Sequence, residues 1–290
     1  MQWTEVSVDA TRSRVEAVGA ALLQVCPQGL AESAAGRAGH RLLRVYLPVG
    51  STGRTALGAI RRALIGLAES AHIRTRLVSD AGWASSWKMH ARPLMVGRIL
   101  IQPDAASPGA TRRRGRTAIR AVVTLNPGMA FGSGDHASTQ LCLLAIDTHL
   151  PRAGQMIDLG TGSGILAIAA ARCGARRVLA IDNDPVAVAV ARANVRRNGV
   201  ARRVTVRRGS GLSGVRLRAD MIVANLTADI LPVALDDVRR CLAPRGLFVA
   251  SGFGSPRVAE VRRRVEAAGL RVVVTRRVRG WCAVHAVTRP

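Results

Sequence analysis

The sequence predicts a two-domain α/β protein, in which a small ferredoxin-like α+β domain precedes a doubly wound domain built on a mostly parallel sheet. Three observations lead to this prediction. The chain has 290 residues, which suits two domains. Strand and helix patterns follow one another as β-α-β-β-α-β over residues 1–78. From residue 121 onward, strands and helices alternate regularly, as they do in a parallel sheet covered on both faces.

Hydrophobic periodicity defines the elements of the first domain, residues 1–78. The strands are predicted at QWTEVSV, GLAES, RLLRVYLP and IRTRLVS. Apolar residues at helical spacing predict two helices, the first through Val15, Val18, Leu22 and Val25 and the second through Leu57, Ile60, Leu64 and Leu67. This order is that of a ferredoxin-like unit.

Residues 79–120 are predicted to connect the domains, with one short strand, ILIQP, and an exposed arginine-rich loop, DAASPGATRRRGR. The second domain, residues 121–290, has strands at MIDLG, RVLAID, RVTVRRG, DMIVANL and GLFVASG. Helices are predicted through ILAIAAARCG, between Asp184 and Asn198, and around residues 230–242 and 256–268. The closing VVVTRRV-RG-WCAVHAV is typical of a hairpin, which would add one antiparallel strand.

Composition narrows the functional classes. No apolar run is long enough to span a membrane, and the N-terminus lacks a secretory pattern, so a cytoplasmic location is expected. The five cysteines are scattered without a CxxC pair, which argues against disulfides and against a metal site. The net charge is +25, and Lys88 is the only lysine. This arginine excess has two interpretations, solvated helix faces or an RNA or ribosomal partner.

A glycine-rich loop follows the strand MIDLG and opens a helix, which is the context that a nucleotide loop requires. It reads Asp158-Leu-Gly160-Thr-Gly162-Ser-Gly164. A dinucleotide fingerprint would need a third glycine at Ile165. The acid ahead of the loop would repel a pyrophosphate but suits the ammonium of an amino acid, directly or through water. The pattern therefore favours S-adenosyl-L-methionine (SAM) over NAD.

The next strand ends in Asp182, where an acid is expected to accept hydrogen bonds from both ribose hydroxyls of the cofactor. No Walker lysine is present, because no G-x-x-x-x-G-K occurs. Asp158, Gly160, Gly162, Gly164 and Asp182 are thus the predicted cofactor-binding set, in a fold of the Rossmann-like class I SAM-methyltransferase type.

Four segments of the chain closely resemble the PrmA family, the methyltransferases of large-subunit ribosomal protein eleven. They are NPGMAFGSGDHASTQLCL, IDLGTGSGILAIAA, AIDNDPVAVAVARANVRRNGV and VANLTADIL. The resemblance implies that the first segment lies over the SAM pocket and that Thr139 contacts the cofactor. It also implies that Gly160 lines the methionine end, that Asp182 binds the ribose and that Asn225 sits beside the methyl group.

The residues themselves agree with these implied roles. Gly132 and Gly134 permit tight turns, and Ser138 and Thr139 are suited to cap the helix that follows. His136 is expected to order the loop by hydrogen bonding rather than to act as a base. Asn225 offers a neutral amide oxygen that can accept an amine N–H and aim its lone pair at the methyl, so it is the predicted catalytic residue. Asn225-Leu-Thr-Ala differs from the N-P-P-[YF] of adenine-amine methylases, which argues against DNA as substrate.

The sequence therefore predicts a SAM-dependent N-methyltransferase acting on lysine side-chain amines, and on an N-terminal amine, of a ribosomal protein. Two alternatives stay open. The substrate could instead be RNA or another protein, or the chain could bind SAM on the ribosome without turnover.

Overall fold

The computed structural model describes residues 2–26, 30–67, 73–79, 93–103, 118–126 and 134–288. The chain divides into two compact units, residues 1–87 and 88–290. The arginine-rich loop and Gly132 lie outside the described residues. No helix within the described part combines the length and the apolar character that a membrane crossing requires.

The first unit has the ferredoxin-like arrangement that the sequence predicts. Its elements are β1 (Gln2–Thr11), α1 (Val15–Val25), β2 (Ala31–Ala34), β3 (His40–Pro48), α2 (Ser51–Ala63) and β4 (Ile73–Ser79). The four strands form an antiparallel sheet in the order β2-β3-β1-β4. Alternate residues such as Val6 and Val45 point to one face, where they pack against Leu22 and Ile60 of the two helices.

The second unit is the doubly wound domain. Its elements are β5 (Leu94–Val96), β6 (Ile99–Pro103), β7 (Ala121–Leu125), α3 (Ala137–His149), β8 (Gln155–Leu159), α4 (Ile165–Arg172), β9 (Arg177–Asp182), α5 (Pro185–Arg197), β10 (Val204–Arg208), β11 (Ala219–Asn225), α6 (Leu231–Cys241), β12 (Leu242–Gly254), a 3₁₀ turn (Ser255–Arg257), α7 (Val258–Ala267), β13 (Leu270–Val278) and β14 (Trp281–Thr288).

Its main sheet has seven strands in the order β10-β9-β8-β11-β12-β14-β13. Every pairing is parallel except those of β14, which runs antiparallel to both neighbours, so the predicted closing hairpin is confirmed. Helices α6 and α7 cover one face through a hydrophobic core that includes Phe248. The strand order reverses at β8, and ligands bind outside the carboxyl ends of the strands at such a point.

Part of the segment between the two predicted domains packs with the second unit. The strand ILIQP is β6, and it pairs with β7 in a separate sheet of order β5-β6-β7. The buried Asp147 of α3 holds this sheet, because it forms ion pairs with Arg98 at 2.9 Å and with Arg120 at 3.4 Å. The two arginines are neighbours, directly before β6 and β7, so one carboxylate fixes the N-terminal ends of both strands against α3.

Candidate active site

The glycine-rich loop lies at the carboxyl end of β8 and turns into α4. Gly160, Gly162 and Gly164 have φ values of 74°, 54° and 84°, in the left-handed region that favours glycine. A Cβ added at Gly160 would come within 2.5 Å of a Leu226 methyl group. Glycine is therefore required at position 160 by the positive φ and by the close approach of Leu226.

Asp158, the fourth residue of β8, lies completely buried beneath this loop. Its Oδ2 accepts hydrogen bonds from the Thr161 hydroxyl at 2.6 Å and from the Ala167 N–H at 3.1 Å. Its Oδ1 is buried and has no hydrogen-bond partner among the described residues. Burial raises the pKa of Asp158 to about 7, and the two hydrogen bonds offset only part of this effect. Asp158 thus organises the loop with one oxygen and keeps the other available.

Asp182 ends β9 next to the loop. Its Oδ2 accepts from the Gly162 N–H at 2.9 Å, and its Oδ1 accepts from the Asp184 N–H at 3.0 Å. Each carboxylate oxygen can accept a second hydrogen bond, so the residue retains capacity for two hydroxyl donors. The structure places Asp182 beside the glycine-rich loop, which it fixes to β9, and ribose binding by this carboxylate stays a prediction.

Asn225 and Thr139 meet although 86 positions separate them. Asn225 ends β11, the strand beside β8, and its Nδ2 donates to the Thr139 hydroxyl at 3.2 Å. Its Oδ1 is buried and has no hydrogen-bond partner within the described residues. The amide is therefore held by its nitrogen, and a neutral acceptor is left at the carboxyl edge of the sheet.

Helix α3, which carries Thr139, begins with a cap that the sequence did not indicate. The prediction that Ser138 and Thr139 cap this helix is wrong, because both lie inside it and His136 is the N-cap residue. His136 Nδ1 is 2.7 Å from the Ser138 hydroxyl and accepts from the Ser138 N–H at 3.4 Å. Its ring lies edge-on to Trp281 at 4.3 Å, and burial lowers its pKa to about 4. These contacts fit an ordering role and a neutral imidazole.

The donor set fits SAM. A buried carboxylate oxygen and a bare glycine loop suit the amino-acid end, and the Asp182 carboxylate suits vicinal hydroxyls. The described residues contain no cluster of three His, Cys, Asp or Glu side chains that could hold a metal ion. Sequence reasoning missed two buried polar residues, Asn194 of α5 and Asn198, the C-cap of that helix. Their signal was available, since their spacing of four puts them on the same helix face as the buried Ala187 and Ala191.

Comparisons with known proteins agree with this geometry. The family model of the ribosomal protein L11 methyltransferases (PrmA) matches residues 2–289. The ribosomal protein L11 methyltransferase of Pelotomaculum thermopropionicum is 35% identical over 310 aligned positions, covering 99% of each chain. That of Brevibacillus brevis is 32% identical and covers 100% of both chains.

A solved structure, the ribosomal protein L11 methylase of Lactobacillus delbrueckii subsp. bulgaricus, superposes with a TM-score of 0.61 at 26% identity. It covers 69% of this chain and 100% of its own. The fold, the SAM-type loop and these matches agree, so the chain is a SAM-dependent methyltransferase and belongs to the ribosomal protein L11 methyltransferase (PrmA) family.

Proposed function

We propose that this enzyme transfers methyl groups from SAM to ribosomal protein L11, at lysine ε-amines and at the N-terminal amine, in the cytoplasm. The relatives named for that substrate match the chain along its whole length. The single observation that supports amine chemistry is the Oδ1 of Asn225, a buried acceptor without a partner in the described residues. An unsatisfied buried acceptor costs about 1–3 kcal/mol, which an incoming N–H donor would recover.

The proposed chemistry is an in-line displacement. Bound SAM supplies an electrophilic methyl group on a sulfonium. The Thr139 hydroxyl holds the Asn225 amide by its nitrogen, which leaves Oδ1 to accept an N–H of the substrate amine. That hydrogen bond would aim the amine lone pair along the reaction axis, and such positioning is a large part of catalysis in a site that excludes water.

The amine must arrive without its extra proton, because an ammonium has no lone pair. Of the titratable groups that the structure places at this end of the sheet, we assign Asp182 to the ribose, and neither Asp158 nor His136 suits a strong base. Asp158 is completely buried beneath the loop, and His136 is buried with its Nδ1 engaged by Ser138. We therefore propose that the amine loses its proton to solvent before it enters the site, so the rate should rise with pH toward the pKa of the lysine.

Replacement of Asn225 tests the catalytic role. Asn225→Ala should reduce kcat by about 10²–10³-fold, the range for an oriented group at a reaction centre, and should change the Kd for SAM much less. Asn225→Asp is the matched control, since its carboxylate keeps an acceptor and should recover part of the rate. Undiminished turnover in the alanine variant would remove Asn225 from the mechanism.

Labelled methyl groups distinguish the substrates. Ribosomes and free L11 from a strain lacking the enzyme would be incubated with the enzyme and methyl-labelled SAM. Label in L11 is the expected result. Label in RNA would favour the RNA alternative, and binding of SAM without label transfer would favour a ribosome-associated protein that has lost turnover.

An RNA-containing partner is a second proposal, and the edge strand β13 supports it. Four exposed arginines lie on β13 and the turn after it, and none of them takes part in an ion pair within the described residues: Arg271, Arg276, Arg277 and Arg279. The acids of neighbouring α7 do not neutralise them, because Glu260 and Glu266 pair with other arginines. An edge row of unpaired guanidinium groups suits the phosphates of a ribosomal particle.

Salt dependence tests this second proposal. If Arg276 and Arg277 contact phosphates, replacing both with Ser should lower the slope of log affinity for ribosomal particles against log salt by about 2. Arg262→Ser is the control, since Arg262 lies 3.9 Å from its partner Glu266 and should leave the slope unchanged. A flat salt response of the unmodified enzyme would mean that these arginines only solvate the sheet edge and discourage strand pairing.

A further inference from the structure

Two asparagines on the inner face of α5 are almost completely buried. Asn194 is 0% exposed, and Asn198, which follows the helix as its C-cap, is 3% exposed. A buried amide without hydrogen bonds is costly, so the partners of each amide show which parts of the fold it holds together.

Asn198 completes the free edge of β7. Its Oδ1 accepts from the Thr124 N–H at 2.9 Å, and its Nδ2 donates to the Thr124 carbonyl at 2.7 Å. The opposite edge of β7 pairs with β6. The side chain therefore acts as a one-residue strand partner, and its contacts are confined to β7 and its own helix, where Nδ2 also donates to the Asn194 carbonyl.

Asn194 makes a different set of contacts. Its Nδ2 donates to the carbonyl of Ser163, inside the glycine-rich loop, at 2.9 Å. Its Oδ1 accepts from the N–H of Asn126 at 3.1 Å and from Arg197 at 3.3 Å. Asn126 is the residue after β7, where the chain leaves the sheet toward α3 and Thr139. One amide thus joins the cofactor loop to the start of the segment that leads to Thr139.

Helix α5 packs closely against the glycine-rich loop, which restricts movement between Asn194 and Ser163. A Cβ added at Gly164 would lie 3.3 Å from the Cα and Cβ of Ala191, one turn before Asn194 on the same face. Since Ser163 precedes Gly164, the loop is held at neighbouring residues by packing and by a hydrogen bond. A shift of Asn126 would therefore displace the Asn194 amide and, through it, Ser163 of the glycine-rich loop.

We propose that Asn194 is a positioning residue for SAM binding, which fixes the glycine-rich loop and the start of the segment leading to Thr139 in one relative geometry. Asn194 itself need not touch the cofactor. Without its amide, the hydrogen bonds to the Ser163 carbonyl and from the Asn126 N–H are lost, and the glycine-rich loop can shift relative to the end of β7. The inference rests on the cofactor site described above and is independent of which substrate accepts the methyl group.

The test compares Asn194 with Asn198, its equally buried neighbour. SAM affinity would be measured by calorimetry and thermal stability by circular dichroism, for the full chain. Asn194→Ala should weaken SAM binding by at least about tenfold, because the hydrogen bonds that connect Ser163 of the loop with Asn126 through this amide are lost. The KM for SAM should rise in the same proportion as the Kd for SAM. Asn198→Ala should lower the melting temperature comparably and change the SAM affinity by less than about twofold.

Asn194→Asp covers the case in which the alanine variant does not fold. An aspartate keeps an acceptor for the Asn126 N–H but cannot donate to the Ser163 carbonyl, so weaker SAM binding is again expected. The proposal is overturned if the Asn194 variants that fold bind SAM as the unmodified enzyme does. It is equally overturned if Asn198→Ala weakens binding as much, because both amides would then only stabilise the fold.

Discussion

Replacing Asp158 with asparagine should remove a pH dependence of stability that the unmodified enzyme shows between about pH 4 and pH 7. Burial raises the pKa of this carboxyl from 3.8 to about 7 in the folded protein. In the unfolded chain the carboxyl is solvated and returns to its ordinary value. Between these two values the folded protein therefore holds a proton that the unfolded chain has released.

The direction and the size of this change in the free energy of unfolding follow from proton linkage. A group whose pKa is raised by folding contributes stability that is fully present below the unfolded pKa and is lost as the pH rises through the folded pKa. The difference of roughly three pKa units corresponds to about 4 kcal/mol at about 1.4 kcal/mol per unit. The free energy of unfolding should fall by this amount from about pH 4 to about pH 7, and then level off.

Urea unfolding followed by circular dichroism, at a series of pH values from 4 to 8, measures this effect. The asparagine side chain in the variant keeps an oxygen that can accept from Thr161 and Ala167, so the loop should survive while the titration disappears. The unmodified protein should therefore show a steeper decline than Asp158→Asn. Identical pH profiles for the two proteins would refute the reasoning, since the carboxyl would then be ionised in the fold throughout.

Asp147 supplies a control of opposite sign. Burial raises its pKa, but hydrogen bonds from Arg98 and Arg120 outweigh burial, and the net pKa is lowered. Its contribution to stability is present above the unfolded pKa and is lost as the pH falls through the folded pKa. Asp147→Asn should consequently destabilise the protein at neutral pH and reduce the loss of unfolding free energy as the pH falls on the acid side. Asp158→Asn should instead change the pH dependence of the unfolding free energy between about pH 4 and pH 7.

Three further predictions concern the site and its support. Asp182→Ala should weaken SAM binding in calorimetry by at least about 100-fold, since two hydrogen bonds to a charged acceptor are worth about 1.5–3 kcal/mol each; equal affinity would exclude Asp182 from the site. Gly160→Ala should lower the urea midpoint and SAM affinity, because φ is 74° and the new methyl would meet Leu226; a further Leu226→Ala change should recover only the part due to the clash. A chain of residues 88–290 should bind SAM like the full protein and methylate its protein substrate poorly, because we propose that residues 1–78 dock that substrate. A chain of residues 121–290 should be less stable by thermal unfolding, since it lacks the strand that pairs with β7; full methylation by 88–290 would place substrate recognition in the second unit.

Much of the fold is contained in local sequence patterns. The order of strands and helices in both units follows from hydrophobic periods of 2 and 3.6 residues, and the closing hairpin from its Arg-Gly turn between β-branched runs. Strand β5 was not predicted, because a three-residue strand is too short to show a period. Its place is fixed instead by pairing with β6 and by the Asp147 ion pairs, which are contacts between residues distant in sequence.

The candidate site was predictable to the extent that it lies in one continuous motif. The loop from Asp158 to Gly164 and the acid at Asp182 have fixed spacings, so they could be found by inspection. The meeting of Asn225 with Thr139 and the link made by Asn194 depend on tertiary structure, which spacing does not encode. The cap of α3 was mispredicted for a related reason: Ser138 is a good capping residue by type, but the His136 side chain reaches its backbone N–H.

The position of β14 has a consequence for how the second unit is made. This strand is synthesised after β13, yet it lies between β12 and β13 in the finished sheet. A nascent chain that ends before Trp281 therefore lacks the strand that lies between β12 and β13, and β12 presents an open edge to other chains. Folding of this half of the sheet must wait for the last strand to leave the ribosome. Loss of β14 alone would separate β13 and its arginines from the rest of the sheet, although every residue of the cofactor loop would still be present.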